Sequence, residues 1–152
     1  MRLQRLLFGI VAVAYLIFVW AVTLTPQPFD DGVVGLIDQV LDGFSQHPLT
    51  AWLTYDVVEF TANIGMFIPV GLLVALWAGP ARWWVGIVVG VCDTLLIETI
   101  QGVLLSATRY ATVSDVIANS TGALIGALAA LGISVLAARR VRHARGALTR
   151  TP

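Results

Sequence analysis

The stretch that decides the fold is Trp83–Leu105, which reads WWVGIVVGVCDTLLIETIQGVLL. It is long enough to cross a bilayer, for which a helix needs about 20 predominantly apolar residues. Asp93, Glu98 and Gln101 interrupt its apolar character. Because a charged side chain at the bilayer centre costs at least about 2.5 kcal/mol, such residues usually face a partner or a cavity. The stretch therefore predicts a membrane span with a polar face.

Three further apolar runs predict three more spans. They cover residues 6–24, 57–78 and 113–138, so we expect an all-α bundle of four transmembrane helices that forms a single domain over residues 1–152. The first run follows Arg2 and Arg5 and contains no charge, as in a signal peptide. It is longer than the roughly 7–15 apolar residues of such peptides. We therefore expect an uncleaved anchor, with a cleaved signal as the alternative.

The composition is that of a membrane protein. Of the 152 residues, 58% are apolar and 12% are charged, and the mean hydropathy is +0.87. Ordinary soluble domains have about 45–50% apolar and about 25% charged residues. The formal net charge is zero and no basic stripe interleaved with aromatics is present, so no nucleic-acid partner is expected. Membrane lipids are the expected surroundings, and the single Cys92 excludes an internal disulfide framework.

The arginines predict the orientation of the bundle. They precede the first span, occupy the turn at Arg82, and recur in the arginine-rich tail over residues 139–152. The segment between the first two spans carries several aspartates and no basic residue. By the positive-inside rule, the arginine-bearing ends face the cytoplasm. We therefore expect both termini to be cytoplasmic and the aspartate-rich segment to lie outside.

A short amphipathic helix is predicted in this outer segment. Between residues 33 and 44 the apolar side chains recur at helical spacing, with Asp38, Gln39 and Asp42 on the opposite face. Such a helix lies along the membrane surface, with its apolar stripe on lipid or on the bundle. We expect it to act as a lid or packing element rather than as a helix that binds a partner.

Polar side chains in the second, third and fourth spans recur at helical spacing, so that each set lies on one face of its helix. By helix rise, these sets lie within about 10 Å of the outer ends of the spans. We expect the three faces to line one outward-facing acidic pocket, with an arginine of the last connection above it. The predicted ligand-binding residues are Glu59, Asn63, Glu98, Gln101, Arg109, Asp115 and Asn119.

The amides and small residues also have a structural interpretation. Asn63, Gln101 and Asn119 are of the type that joins membrane helices by hydrogen bonds. Pairs of glycines at intervals of four residues predict close contacts between helices. These pairs are Gly86 with Gly90 and Gly122 with Gly126.

The carboxylates have structural alternatives of their own. Glu59 and Asp115 lie in first turns, where a negative charge suits the helix dipole. Glu98 lies near the C-terminal end of its helix, where the dipole disfavours an anion. An ion pair between Glu98 and Arg109 is therefore the best structural explanation for Glu98, because buried charges persist chiefly when they are paired.

In this order and spacing, the polar and small residues resemble the VanZ-like family of bacterial membrane proteins. The resemblance covers about residues 15–130 and rests on Thr25-Pro26, Glu59-x-x-x-Asn63-x-x-x-Phe67-x-Pro69-x-Gly71, Thr94-x-x-x-Glu98-x-x-Gln101, Arg109 and Asp115-x-x-x-Asn119-x-x-Gly122-x-x-x-Gly126. It implies a multi-pass protein of the bacterial cytoplasmic membrane, from a family named for an accessory that lowers sensitivity to teicoplanin. Asp93 departs from the family pattern. It lies about 140° round the helix from Glu98, so we expect it to face a different neighbour.

The resemblance and the acidic pocket together predict a binding protein. We expect it to bind an envelope component or a glycopeptide drug, and so to contribute to teicoplanin-type resistance or to cell-envelope maintenance. No P-loop, nucleophile elbow or metal-ligand pattern is present in the sequence, so no metal or cofactor is expected.

Two other classes of function stay open. The first is an intramembrane enzyme that modifies a lipid-linked cell-wall precursor or a surface polymer, with Glu59, Glu98 and Asp115 as candidate catalytic acids and bases. The second is a small proton- or cation-coupled transporter, in which Asp93 and Glu98 mark the path. Transport requires polar groups that continue to the cytoplasmic side, where the spans are almost wholly apolar.

Overall fold

The computed structural model describes residues 2–25, 31–106 and 112–148. The helices in these ranges are α1 (Arg2–Thr23), α2 (Asp31–Ser45), α3 (Tyr55–Ala78), α4 (Val85–Leu104) and α5 (Val113–Leu148). All of these except α2 are long and apolar enough to cross a membrane. The expected four-span, all-α fold is therefore confirmed, and α2 is the short helix predicted between the first two spans.

Capping residues explain where α3 begins and ends. The hydroxyl of Thr54 accepts a hydrogen bond from the N–H of Val57 at 3.4 Å, as at a typical helix N-terminus. At the other end, Gly79 has a φ of 87°, which favours glycine, and its N–H donates to the carbonyl of Ala75. A short 3-10 turn, Pro80–Arg82, then leads towards α4. The tight turn makes α3 and α4 antiparallel neighbours.

The boundaries of α4 and α5 differ from the prediction. The helix α4 begins at Val85 rather than at Trp83. The helix α5 continues past residue 138 to Leu148, so most of the predicted tail is helical. Alanine and arginine are strong helix formers, and the exposed arginines at the end of α5 can extend a helix into water without a packing partner. Residues 149–152 of the tail lie outside the described residues.

The central helix of the bundle is α3, which packs against α5, α1 and α4. Its contact with α5 is the most extensive. A Cβ atom at Gly122 would overlap the carbonyl oxygen of Ile64, and one at Gly126 would overlap that of Ile68. The two backbones can approach this closely only because glycine stands at both positions. The predicted contact through Gly122 and Gly126 is therefore confirmed.

The second glycine pair brings α4 against its neighbours. A Cβ atom at Gly86 would overlap the carbonyl oxygen of Gly71 in α3, and one at Gly90 would overlap the side chain of Ala123 in α5. The core around this half of the bundle consists of small side chains, whereas larger ones fill the other half. The small buried residues are Ala75, Ala127 and Ala130, and the larger ones are Val19, Phe67, Val70 and Ile97.

Candidate functional site

Polar side chains of α3, α4 and α5 gather near one end of the bundle. They lie towards the start of α3 and α5 and the end of α4, which the antiparallel arrangement brings to the same level. We call them the polar cluster, and its members are Asn63, Thr94, Glu98, Gln101, Asp115 and Asn119. Most of them are buried, although the spans themselves are apolar. Each must therefore find a hydrogen-bond partner within the protein.

Two hydrogen bonds join α5 to its neighbours within the cluster. The side-chain amide of Asn63 in α3 donates to Oδ1 of Asp115 at 2.6 Å. The amide of Asn119 donates to the hydroxyl of Thr94 in α4 at 2.9 Å, and both of these residues are buried. These contacts confirm that Asn63 and Asn119 join helices.

Glu98 caps the start of α5 from a neighbouring helix. Its Oε2 accepts a hydrogen bond from the backbone N–H of Thr112 at 2.8 Å, and the hydroxyl of Thr112 accepts one from the N–H of Asp115 at 3.0 Å. In an ordinary capping box, the acidic residue in the position of Asp115 would accept the first of these bonds. Because Glu98 replaces it, the carboxylate of Asp115 can reach Asn63 instead.

Gln101 extends the network to α1. Its side-chain amide donates to the carbonyl oxygen of Thr23 at 2.9 Å, at the last residue of that helix. Gln101 thus joins helices as predicted. Glu59 lies one turn before Asn63 on α3 and is exposed. Polar side chains of the three predicted faces therefore meet one another, and through Gln101 they also hold α1.

The predicted partner of Glu98, Arg109, lies outside the described residues. The ion pair between them therefore stays a prediction, and the contact that the structure shows for Glu98 is the amide of Thr112. The structure contains an apolar groove between α1, α3 and α4, and no member of the polar cluster lines it.

Asp93 faces α1, away from the polar cluster, as its position on the helix predicts. The indole N–H of Trp20 donates to Oδ1 of Asp93 at 2.7 Å. The other carboxylate oxygen of Asp93 is buried and has no hydrogen-bond partner among the described residues. The carbonyl oxygen of the Asn119 side chain is in the same situation.

Three residues that provide partners for the buried polar groups were missed by reasoning from the sequence. Thr112 stands three residues before Asp115, the spacing of an N-cap, so a signal for it was present. Nothing in the sequence couples Trp20 to Asp93. Thr23 contributes a backbone carbonyl, which no sequence pattern identifies.

A family model for VanZ/LLP1 matches residues 12–136. The chain belongs to the VanZ/LLP1 family. The match includes α3 and α4 entirely and contains every member of the polar cluster. No curated protein and no solved structure matches the chain.

The chemistry available to this VanZ/LLP1 protein lies in its carboxylates. The amides of the polar cluster are engaged between helices. The carboxylate of Glu98 accepts from the N–H of Thr112, and that of Asp115, three residues further along the chain, accepts from Asn63. A carboxylate has two acceptor oxygens and about four lone-pair directions, so one internal hydrogen bond does not exhaust it. This end of the bundle is therefore suited to accept hydrogen bonds or a positive charge.

Proposed function

We propose that this VanZ/LLP1 protein binds an envelope component or a glycopeptide drug at the polar cluster, and so contributes to glycopeptide resistance or to envelope maintenance. The observation that carries the proposal is the pair of carboxylates at the start of α5, where Glu98 accepts from the N–H of Thr112 and Asp115 lies in the first turn. Hydrogen bonds to an ionised group are roughly twice as strong as neutral ones, so such a pair favours a hydroxyl-rich or cationic ligand. Membership of the family supports the link to resistance.

The proposed orientation places the polar cluster on the outer side of a bacterial cytoplasmic membrane. The arginines at the start of α1, in the turn after α3 and at the end of α5 are all at the opposite end of the bundle. The positive-inside rule assigns that end, and both termini, to the cytoplasm. A ligand in the cell envelope would then reach the cluster without crossing the membrane.

A second candidate is an intramembrane enzyme that acts on a lipid-linked cell-wall precursor or a surface polymer. Two carboxylates near the start of α5 favour it, Glu98 on the N–H of Thr112 and Asp115 in the first turn of the helix, because general acid and base catalysis requires a pair of titratable groups at the reacting bond. Coupled transport is less favoured. Beyond the cluster, the buried residues Ala75, Ala127 and Ala130 provide no polar group for a cation path.

The test compares conservative variants of the two carboxylates with a matched control. Glu98→Gln keeps an oxygen for the N–H of Thr112, and Asp115→Asn keeps one for Asn63, so both variants should fold. Asp56→Asn changes an exposed carboxylate in the first turn of α3 and is the control. Teicoplanin susceptibility of expressing cells is measured beside equilibrium binding of teicoplanin to protein in lipid nanodiscs.

Binding predicts a graded result. Each single variant should lose about tenfold in affinity, the equivalent of one charge-assisted hydrogen bond, and part of the resistance. Asp56→Asn should match the unmodified protein. Complete loss of resistance in either single variant, with altered lipid extracts or wall polymers, would indicate the enzyme instead. Full activity in the double variant, Glu98→Gln with Asp115→Asn, would contradict both functions.

A further inference from the structure

An apolar groove of about 650 Å³ runs along α1 where this helix meets α3 and α4. Its lining includes Ile10, Val13 and Ile17 of α1, Val74 and Trp77 of α3, and Val89 of α4. The volume lies within the range of about 300–1,000 Å³ typical of small-molecule sites. The three α1 side chains are each more than half exposed, so the groove is open on the side that a membrane would cover.

The length of the groove corresponds to one leaflet. Its lining on α1 extends from Leu6 to Ile17, which is about 17 Å at the rise of an α-helix. The hydrocarbon core of a bilayer is about 30 Å thick, so one leaflet contributes about half of that length. One turn beyond Ile17 and Val89, the hydrogen bond between Trp20 and Asp93 joins α1 to α4. A chain in the groove would therefore enter from the Leu6 end.

That entrance is positively charged. Arg5 immediately precedes Leu6, and its side chain reaches the turn after α3, where a Cβ atom at Gly79 would lie 3.0 Å from Nη2 of Arg5. The same turn carries the exposed Arg82. Within the described ranges, neither arginine forms an ion pair with a carboxylate. Both guanidinium groups are therefore available to an anion at the membrane surface.

We infer that the groove binds an anionic phospholipid, with one acyl chain along α1 and the phosphate at Arg5 and Arg82. An acyl chain matches the apolar lining and the length of one leaflet. Basic sites between membrane helices bind anionic headgroups, and a guanidinium can bind a phosphate through two parallel hydrogen bonds. The site lies at the opposite end of the bundle from the polar cluster and does not depend on the function proposed for it.

The test is native mass spectrometry of the purified protein with equimolar dioleoylphosphatidylglycerol and dioleoylphosphatidylcholine. The unmodified protein should retain one phosphatidylglycerol in preference to phosphatidylcholine. Arg5→Gln should reduce this preference about fivefold, the equivalent of one arginine at a membrane surface. Arg140→Gln changes an exposed arginine at the end of α5 and should have no effect. If Arg5→Gln prefers phosphatidylglycerol over phosphatidylcholine as strongly as the unmodified protein does, the assignment of the headgroup is overturned.

A second pair of variants tests the acyl chain. Val13→Trp fills the groove and should reduce the retention of both lipids, whereas Val11→Trp places the same side chain on an exposed part of α1 outside the groove and should not. Ala14→Phe fills the groove with a smaller side chain if Val13→Trp does not fold. Equal retention by the groove-filling variant and Val11→Trp would overturn the inference.

Discussion

At the scale of single residues, the contact between Trp20 and Asp93 is the polar interaction that the sequence explains least. Asp93 is 9% exposed, and one indole N–H serves one of its two carboxylate oxygens. A buried acceptor that loses its donor costs about 1–3 kcal/mol, whereas replacing both partners by apolar groups is often nearly neutral. The pair therefore contributes more to the specificity of the contact between α1 and α4 than to net stability.

A double-mutant cycle can compare the cost of removing Trp20 alone with the cost of replacing both Trp20 and Asp93. We expect Trp20→Phe to lower the free energy of unfolding by about 1–3 kcal/mol, because Asp93 then keeps no donor among the described residues. Adding Asp93→Leu to this variant should restore much of the loss. Thermal unfolding in detergent measures both effects, with Trp84→Phe, which changes an exposed tryptophan, as the control. A double variant less stable than Trp20→Phe alone would contradict this account.

At the scale of helices, glycine determines how closely α3 and α5 approach. The carbonyl groups of Ile64 and Ile68 occupy the space in which Cβ atoms at Gly122 and Gly126 would lie. Helix association in lipid gains little from the hydrophobic effect and depends on packing and on interhelical hydrogen bonds. Close contact through glycine and the hydrogen bond between Asn63 and Asp115 therefore act together on the same pair of helices.

Two glycines of α5 provide a matched test of this packing. Gly126→Ala should lower the free energy of unfolding by about 1–3 kcal/mol, because the added methyl group forces α3 and α5 apart. At Gly132 a Cβ atom meets nothing within 4 Å, so Gly132→Ala should be neutral or stabilise the helix by up to about 1 kcal/mol. Thermal unfolding of the two proteins in detergent should separate them. Equal stability would show that the helices do not pack through Gly126.

At the scale of the whole molecule, the two ends of the bundle differ in chemistry. One end contains the polar cluster and its carboxylates, and the other contains Arg5, Arg82 and the arginines of α5. Small buried alanines fill the interior next to the arginine-bearing end. This arrangement separates an acidic region from a basic surface, and the positive-inside rule predicts which of them faces the cytoplasm.

Cysteine labelling tests the orientation of the bundle. In a protein with Cys92→Ser, cysteines placed at Gln46 or Ser106 should react with a membrane-impermeant maleimide in intact cells. Cysteines placed at Ala81 or His143 should react only after permeabilisation, because they lie at the arginine-bearing end. All four positions are exposed, so differences in reactivity report the side of the membrane. Labelling at Ala81 in intact cells would contradict the predicted topology.

The sequence alone determined the class of fold and the residues that form its polar faces. Four long apolar runs specify four spans because an apolar helix in lipid satisfies its own backbone hydrogen bonds. Helical spacing indicated that Asn63, Gln101 and Asn119 lie on the faces where helices meet, and the glycine pairs indicated where contacts are close. These properties follow from residues a few positions apart, and such neighbours are related by the helix repeat alone.

Only the tertiary structure decided which polar groups become partners. The spacing of α4 places Glu98 on a face but does not show that it caps α5 at Thr112, or that Asp115 is thereby available to Asn63. It also does not show that Trp20 is the neighbour of Asp93, or that Arg5 reaches the turn at Gly79. These contacts depend on the rotation and the relative height of packed helices. Side-chain packing between distant segments sets both quantities, so no local pattern contains them.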